Sequence, residues 1–342
     1  MTVSFPDVVE PDPDRRAAAA ARRVTLPAVD ALLGRLAGAT DWLTACQERE
    51  APVPLKRVRM VVIAGDHGNG TAALSDSNPL AGSAARTRSL LDSIADGSAP
   101  IALLAEVNEV GIRIAEVATG SEEPQDHDPS VEPHRVRFGH PVGADADALS
   151  HEEYERAAAV GSALADAEVD AGADLLIPAL AGSGHEVPVT LLAAAITGME
   201  PVDAVGFAAE VDPAAWSELV AAVRDGLFRA RRDGGDTTSL LRIGGGADLT
   251  ALTTFCAQAA VRRTPVILDG VAALVAGVLA NRFAPGANEY FVAAQESTSR
   301  LGRRLQELLG LTSVTALEVT AENGAAAVQA VGLLNNGLRL LG

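Results

Sequence analysis

Aromatic residues are scarce, 3 % of 342 positions, so the chain offers few platforms on which nucleic-acid bases can stack. Net positive charge is missing too: 45 acidic residues outnumber 27 basic ones, a balance of −18 that repels a phosphate backbone. The basic pairs Arg231-Arg232, Arg262-Arg263 and Arg303-Arg304 form no stripe. They read as solvated helix faces, each within reach of a small phosphorylated ligand at most. Cysteine is nearly absent. Cys46 and Cys256 lie far apart in alanine-rich segments, which suits core residues in a reducing compartment. No apolar run reaches the length of a membrane span, because the longest, 265–280, is interrupted by Asp269. The opening stretch carries Pro6, Asp7, Glu10, Pro11, Asp12 and Pro13 and has no apolar core of a signal peptide. These absences point to a cytoplasmic protein with neither nucleic acid nor membrane among its partners.

What is present is a core. Hydrophobic residues make up 48 % of the chain, and Ala, Val, Leu and Gly carry the packing, a composition suited to close helix–sheet layers. Leu26, Val29, Leu32, Leu33, Leu36, Trp42 and Leu43 repeat with a helical period over 26–48. Residues 56–63 read as a first buried strand, 83–91 and 99–107 as helices, and 111–117 as a second strand. The stretch 119–147 is rich in acids, proline and glycine, and reads as a long loop or lid. His127, His134 and His140 fall inside it, but their spacing matches no compact ligand pattern, so they read as polar loop residues and no metal is expected. Further on come a helix at 152–170, a strand at 173–178, a helix at 189–196, a glycine turn at 242–248 leading into a helix that runs to 260, and a strand at 264–268. Apolar strands that end in Asp/Gly turns and feed helices argue for a parallel, doubly wound sheet.

Function is to be sought at the strand ends. The first strand stops at Gly65-Asp66-His67-Gly68, where an open α/β sheet first meets its ligand; the plainer alternative is a turn in which Asp66 caps the next helix. Gly182 and Gly184 lie between a strand and a helix, the arrangement that offers backbone N–H groups to a phosphate, although Glu186 beside them opposes an anion. A metal-dependent hydrolase built on Asp66, His67 and Asp269 is a further alternative, unsupported by any His-Glu-x-x-His or paired-cysteine spacing.

Several turns, taken in order, carry more information than any glycine pair. The order is Ala64-Gly65-Asp66-His67-Gly68, Gly97-Ser98-Ala99-Pro100-Ile101-Ala102-Leu103-Leu104-Ala105, Gly245-Gly246-Ala247-Asp248-Leu249 and Pro265-Val266-Ile267-Leu268-Asp269-Gly270. In this the chain resembles the nicotinate mononucleotide:dimethylbenzimidazole phosphoribosyltransferases of cobamide assembly, from about residue 25 onward. The resemblance implies an α/β fold, a Rossmann-like parallel sheet with helices on both faces, plus a small helical domain from the two ends of the chain. The corresponding boundaries are a flexible tail at 1–24, a helical domain at 25–55 and 320–342, and a large nucleotide-binding domain at 56–319. It also implies a homodimer, no cofactor, and transfer of phosphoribose from nicotinate mononucleotide to an aromatic base with inversion at the anomeric carbon.

By the same resemblance, Glu322 in Thr320-Ala321-Glu322-Asn323-Gly324-Ala325-Ala326 stands one position from the family's base, with Glu318 in reserve. The residues set against substrate are Asp66, His67, Gly182, Gly184, Gly245, Gly246, Asp269 and Glu296. The chain departs from the family where substrate is touched. Leu180 replaces an acid, and Glu186 and Val187 replace two phosphate-binding threonines. Ser75-Asp76-Ser77-Asn78-Pro79 stands in place of a base-pocket motif, and the segment around Glu296 keeps its acid but loses a histidine. Two readings follow: a transferase with altered substrates, or a homologue that has lost catalysis and binds a nucleotide, a base or a partner subunit.

Overall fold

Runs of Val, Ile and Leu with little intervening charge are suited to strands buried on both faces, and such runs make the centre of the sheet. The computed structural model describes residues 4–49, 51–68, 84–120, 131–141, 146–206, 212–232, 234–321 and 324–342. Its strands are β1 (Val58–Gly65), β2 (Val110–Ala118), β3 (Val131–Pro133), β4 (Leu175–Ala181), β5 (Val266–Leu268), β6 (Phe291–Gln295) and β7 (Ser313–Thr315). They form one sheet in the order β3-β2-β1-β4-β5-β6-β7, and every pairing is parallel. The expected α/β class with a parallel sheet is thus what the chain adopts, and the four strands read from sequence are β1, β2, β4 and β5.

From β1 the chain winds outward to β3, then returns to β4 and winds the other way to β7. The direction reverses between β1 and β4, and a crevice opens at the carboxyl ends of such neighbours. Met60, Val61, Val62 and Ile63 of β1 and Leu175, Leu176 and Ile177 of β4 are fully or almost fully buried, so the reversal point stands on a dry core.

The Gly246–Val261 helix runs behind this core, buried along nearly its whole length. Its threonines are satisfied internally: Thr250, Thr253 and Thr254 each donate to a carbonyl one turn back. Gly161, on the His151–Asp170 helix, lets the two helices touch. A Cβ there would lie 2.0 Å from the Ala251 carbonyl oxygen.

Three expectations need correction. The tail expected at 1–24 is helical from Pro13 to Thr25, because Asp12 caps the start of an alanine-rich run and Pro13 follows it at the first helical position. Arg22 donates to the Leu341 carbonyl at 2.7 Å and Arg23 to Asp41 at 2.9 Å, so this helix is tied down on the Ala325–Leu341 and Leu36–Cys46 helices. The single helix read over 26–48 is two, Val29–Leu33 and Leu36–Cys46, separated at Gly34, whose φ of 49° ends the first. The glycine turn at 242–248 does not follow a strand: Leu241–Gly245 is a π-helical turn that feeds the Gly246–Val261 helix directly. No described helix is long and apolar enough to cross a membrane.

Candidate active site

Four chain segments, at 66–67, 140, 183–185 and 246–248, converge at the carboxyl ends of β1 and β4. Asp66, just past β1, is fully buried and its carboxylate is saturated with donors. Oδ1 accepts from the Thr87 hydroxyl and from Ser183 through both N–H (3.1 Å) and hydroxyl (2.7 Å), and Oδ2 accepts from the Gly120 N–H at 2.8 Å. Asp66 is therefore a knot that fastens the turns after β1, β2 and β4 rather than an acid with capacity to spare.

Beside it lies a second carboxylate, Asp248, in the first turn of the Gly246–Val261 helix and fully buried. His67 Nε2 donates to it at 2.9 Å and His185 Nε2 at 2.8 Å. Burial works against the charge on Asp248, but the two imidazoles outweigh it and hold the carboxyl well below the usual carboxylate range. Burial also pulls the His185 ring down, and its hydrogen bond to Asp248 overcomes this, so its pKa is raised.

His140 completes the group. Its ring stacks on His67 with centroids 4.2 Å apart. The Ala247 N–H donates to its Nε2 at 2.8 Å, so the ring proton sits on Nδ1, which donates to the Asp66 carbonyl at 2.9 Å. With both nitrogens committed, His140 is neutral. Burial first, and repulsion from His67 second, push its pKa down to about 3.

Glycine makes this density attainable. At Gly182, where φ is 137°, a Cβ would stand 1.7 Å from the Gly65 carbonyl oxygen; at Gly246, where φ is 84°, it would stand 2.7 Å from the His67 ring. Gly184 approaches the His67 carbonyl in the same way, and Gly245 packs in the core against Leu192 and Leu241.

The donor atoms of His67, His185 and Asp248 lie within 4.8 Å of one another, a grouping that invites comparison with a metal centre. The nitrogen–oxygen separations of 2.8–2.9 Å are hydrogen-bond lengths. Donors around a tetrahedral zinc, each about 2.0–2.1 Å from the ion, stand about 3.3 Å apart. The trio fits a proton-linked network better than an ion.

A cavity of about 590 Å³ opens on the far side of His185, within the range of small-molecule sites. Its lining includes apolar Leu90, Leu180, Val189, Leu219 and Val271 and, among polar groups, Gly182, His185, Glu186, Ser299 and Thr320. A smaller cavity of about 110 Å³ shares Ser299 and Thr320 with it and is lined by Asp269, Gly270, Gln295 and Ser297.

The residues singled out from sequence thus occupy different stations. Gly182 lines the large cavity; Asp66, His67, Gly184 and Gly246 build the polar cluster behind it. Asp269 borders the small cavity, but its Oδ2 accepts from the N–H groups of Ala326 (2.9 Å) and Ala327 (3.4 Å) and so caps the Ala325–Leu341 helix. Glu296 is turned outward, 3.3 Å from Arg35, with half of its side chain exposed. Glu322 and His127 lie outside the described residues. Sequence reasoning overlooked Asp248, His185 and His140. The first two stood inside motifs already noted for their glycines, while nothing near His140 signalled its neutral, buried state.

Comparison with known proteins agrees with this architecture. A sequence model of the phosphoribosyltransferase family matches residues 8–342. Nicotinate-nucleotide--dimethylbenzimidazole phosphoribosyltransferase of Mycolicibacterium paratuberculosis is 45 % identical over 296 residues, covering 86 % of this chain and 82 % of that one. The protein of the same name from Mycobacterium ulcerans is 40 % identical over 332 residues, 97 % of this chain and 90 % of that one. The crystal structure of nicotinate-nucleotide-dimethylbenzimidazole phosphoribosyltransferase from Thermus thermophilus superposes with a TM-score of 0.85 at 28 % identity, covering 96 % of each chain. Sequence along almost the whole length and the shared parallel sheet lead to one conclusion: the chain belongs to this phosphoribosyltransferase family.

Proposed function

We propose that the protein transfers the phosphoribosyl group of nicotinate mononucleotide to 5,6-dimethylbenzimidazole or a closely related aromatic base, for cobamide assembly. The single observation that carries this reading is the 590 Å³ cavity beyond the carboxyl end of β4, lined by both apolar and polar residues, in a chain of this family. Leu90, Leu180, Val189 and Leu219 suit the flat face of a benzimidazole, and the hydroxyls of Ser299 and Thr320 suit a ribose. In the reaction an azole nitrogen attacks C1′ of the ribose, the C–N bond to nicotinate breaks, and nicotinate departs with the bonding pair. The azole must then lose a proton to a carboxylate.

Asp66, Asp248 and Asp269 are all engaged in hydrogen bonds, so a base is to be found elsewhere. We assign it to Glu322, because Thr320 and Ala321, directly before it in the chain, line the cavity. Glu318, the reserve candidate, is exposed and in a left-handed conformation, which makes it the weaker choice. The protein is taken to act as a homodimer in the cytoplasm. The test is incubation with nicotinate mononucleotide and a panel of benzimidazoles, purines and phenols, read by mass spectrometry. Stoichiometric nicotinate and an α-riboside 5′-phosphate are expected; no release with any acceptor would overturn the reading.

A further inference from the structure

A nucleotide donor brings a phosphate into the cavity, and a buried phosphate calls for positive charge or several strong donors. Arg300, between the lining residues Ser299 and Leu301, is paired with Asp203 at 3.5 Å and does not itself line the cavity. Among the described lining residues, His185 is the only one with a basic side chain. The chain contains a single lysine, Lys56, which precedes β1 and so sits at the opposite edge of the sheet, about 25 Å away along an eight-residue strand. The segments outside the described residues hold neither lysine nor arginine, and their one basic group is His127.

Resting on the transferase reading above, we propose that His185 is the cationic group that receives the phosphate monoester of the donor nucleotide. Its side chain is 18 % exposed, with Nε2 bound to Asp248 at 2.8 Å and the ring bordering the cavity. An imidazolium held in this way donates one N–H to Asp248 and has a second for a phosphate oxygen.

The groups facing it favour the cation. Asp248 faces it from the buried helix, Asp66 from the end of β1, and Glu186 from its own helix, and all three attract the proton; burial opposes it. His67, whose ring centroid lies 5.2 Å away, shares the same carboxylate. Glu186 also borders the cavity, but it is exposed, so solvent screens its charge from the ligand. Asp248 thereby acts at one remove, as a positioning residue that orients His185 and favours its protonated form. The assignment gives His185 a part in discriminating nucleotide from nucleoside, a part that glycine N–H groups alone would fill less strongly.

The experiment compares wild type with His185→Gln by calorimetric titration of three ligands: nicotinate mononucleotide, nicotinamide mononucleotide, which lacks the carboxylate, and nicotinate riboside, which lacks the phosphate. Removing a charged hydrogen-bond partner is expected to weaken both mononucleotides by about 10- to 100-fold and to leave the riboside within about twofold. Equal weakening of all three would show a structural role, no weakening would show no role, and loss confined to the two carboxylate-bearing ligands would show that the carboxylate is the anion recognised. Each of these results overturns the proposal. His185→Asn is the second variant if the glutamine protein does not fold, with the same separation required. Binding is read without turnover, so a wild type that releases no nicotinate refutes the transferase reading while the titrations still decide the role of His185.

Discussion

His140 and His185 sit on the same network, yet the fold shifts their pKa values in opposite directions. In the unfolded chain His140 takes a proton near pH 6.5, but in the fold only near pH 3. Between those values the unfolded state binds more protons, so stability falls as pH drops, with a slope approaching about 1.4 kcal/mol per pH unit. His140→Asn should lose this dependence: urea denaturation at pH 7 and pH 5 should show a larger decline for wild type than for the variant. His185, whose pKa is raised, contributes stability that is complete below its unfolded value and fades as pH rises through its folded one. Catalysis is expected to reside in a different residue. Glu322→Gln should reduce turnover by about 10²–10⁴-fold with little change in nucleotide affinity, since a base acts in the transition state. Unchanged turnover, measured as nicotinate release, would remove Glu322 from the reaction.

At the scale of elements, turns and caps set the geometry. Gly182 joins β4 to the Glu186–Thr197 helix with φ at 137°, and a Cβ there would run into the Gly65 carbonyl. Gly182→Ala combines backbone strain with overpacking and should cost about 2–5 kcal/mol, visible as a lowered urea midpoint. Asp269 reaches from the end of β5 to cap the Ala325–Leu341 helix, so Asp269→Ala should cost about 1–2 kcal/mol and lower the melting temperature. The long apolar runs of β1 and β4 could be read from sequence because burial on both faces leaves them almost free of charge, and β2 because its Val and Ile residues outnumber Arg113 and Glu116. β6, Phe-Val-Ala-Ala-Gln, could not: it is short and carries two alanines, which suit a helix equally well. β7 and β3 have three residues each and, unlike the equally short β5 with its Val-Ile-Leu, carry only one Val apiece. The π-helical turn at Leu241–Gly245 was hidden by the run Gly244-Gly245-Gly246, which mimics a phosphate loop.

For the whole molecule, the reversal of strand order between β1 and β4 explains why motifs far apart in sequence act together. Positions 66–67, 140, 183–185 and 246–248 meet only when the sheet is assembled. Motif order therefore pointed to the family and to the cavity edge. It could not show that Asp66 is saturated by three turns, or that Asp248 links two histidines, because those facts depend on contacts between segments. The proposed homodimer makes a prediction at this scale: sedimentation equilibrium should report twice the 35.0 kDa chain mass, and a monomer at micromolar concentration would refute it.

The neutral ring of His140 also has a consequence in time. It stacks on His67 and is sealed between the Ala247 N–H and the Asp66 carbonyl, contacts that join chain positions more than seventy residues apart. Such contacts close late in folding, after the strands they join have found one another. A chain refolding in mild acid arrives at that stage with the imidazole charged and must release the proton before the ring can enter. Stopped-flow refolding at pH 5.5 should therefore be slower than at pH 7.5, and His140→Asn should narrow the gap, making one buried histidine a clock for the closing of the sheet.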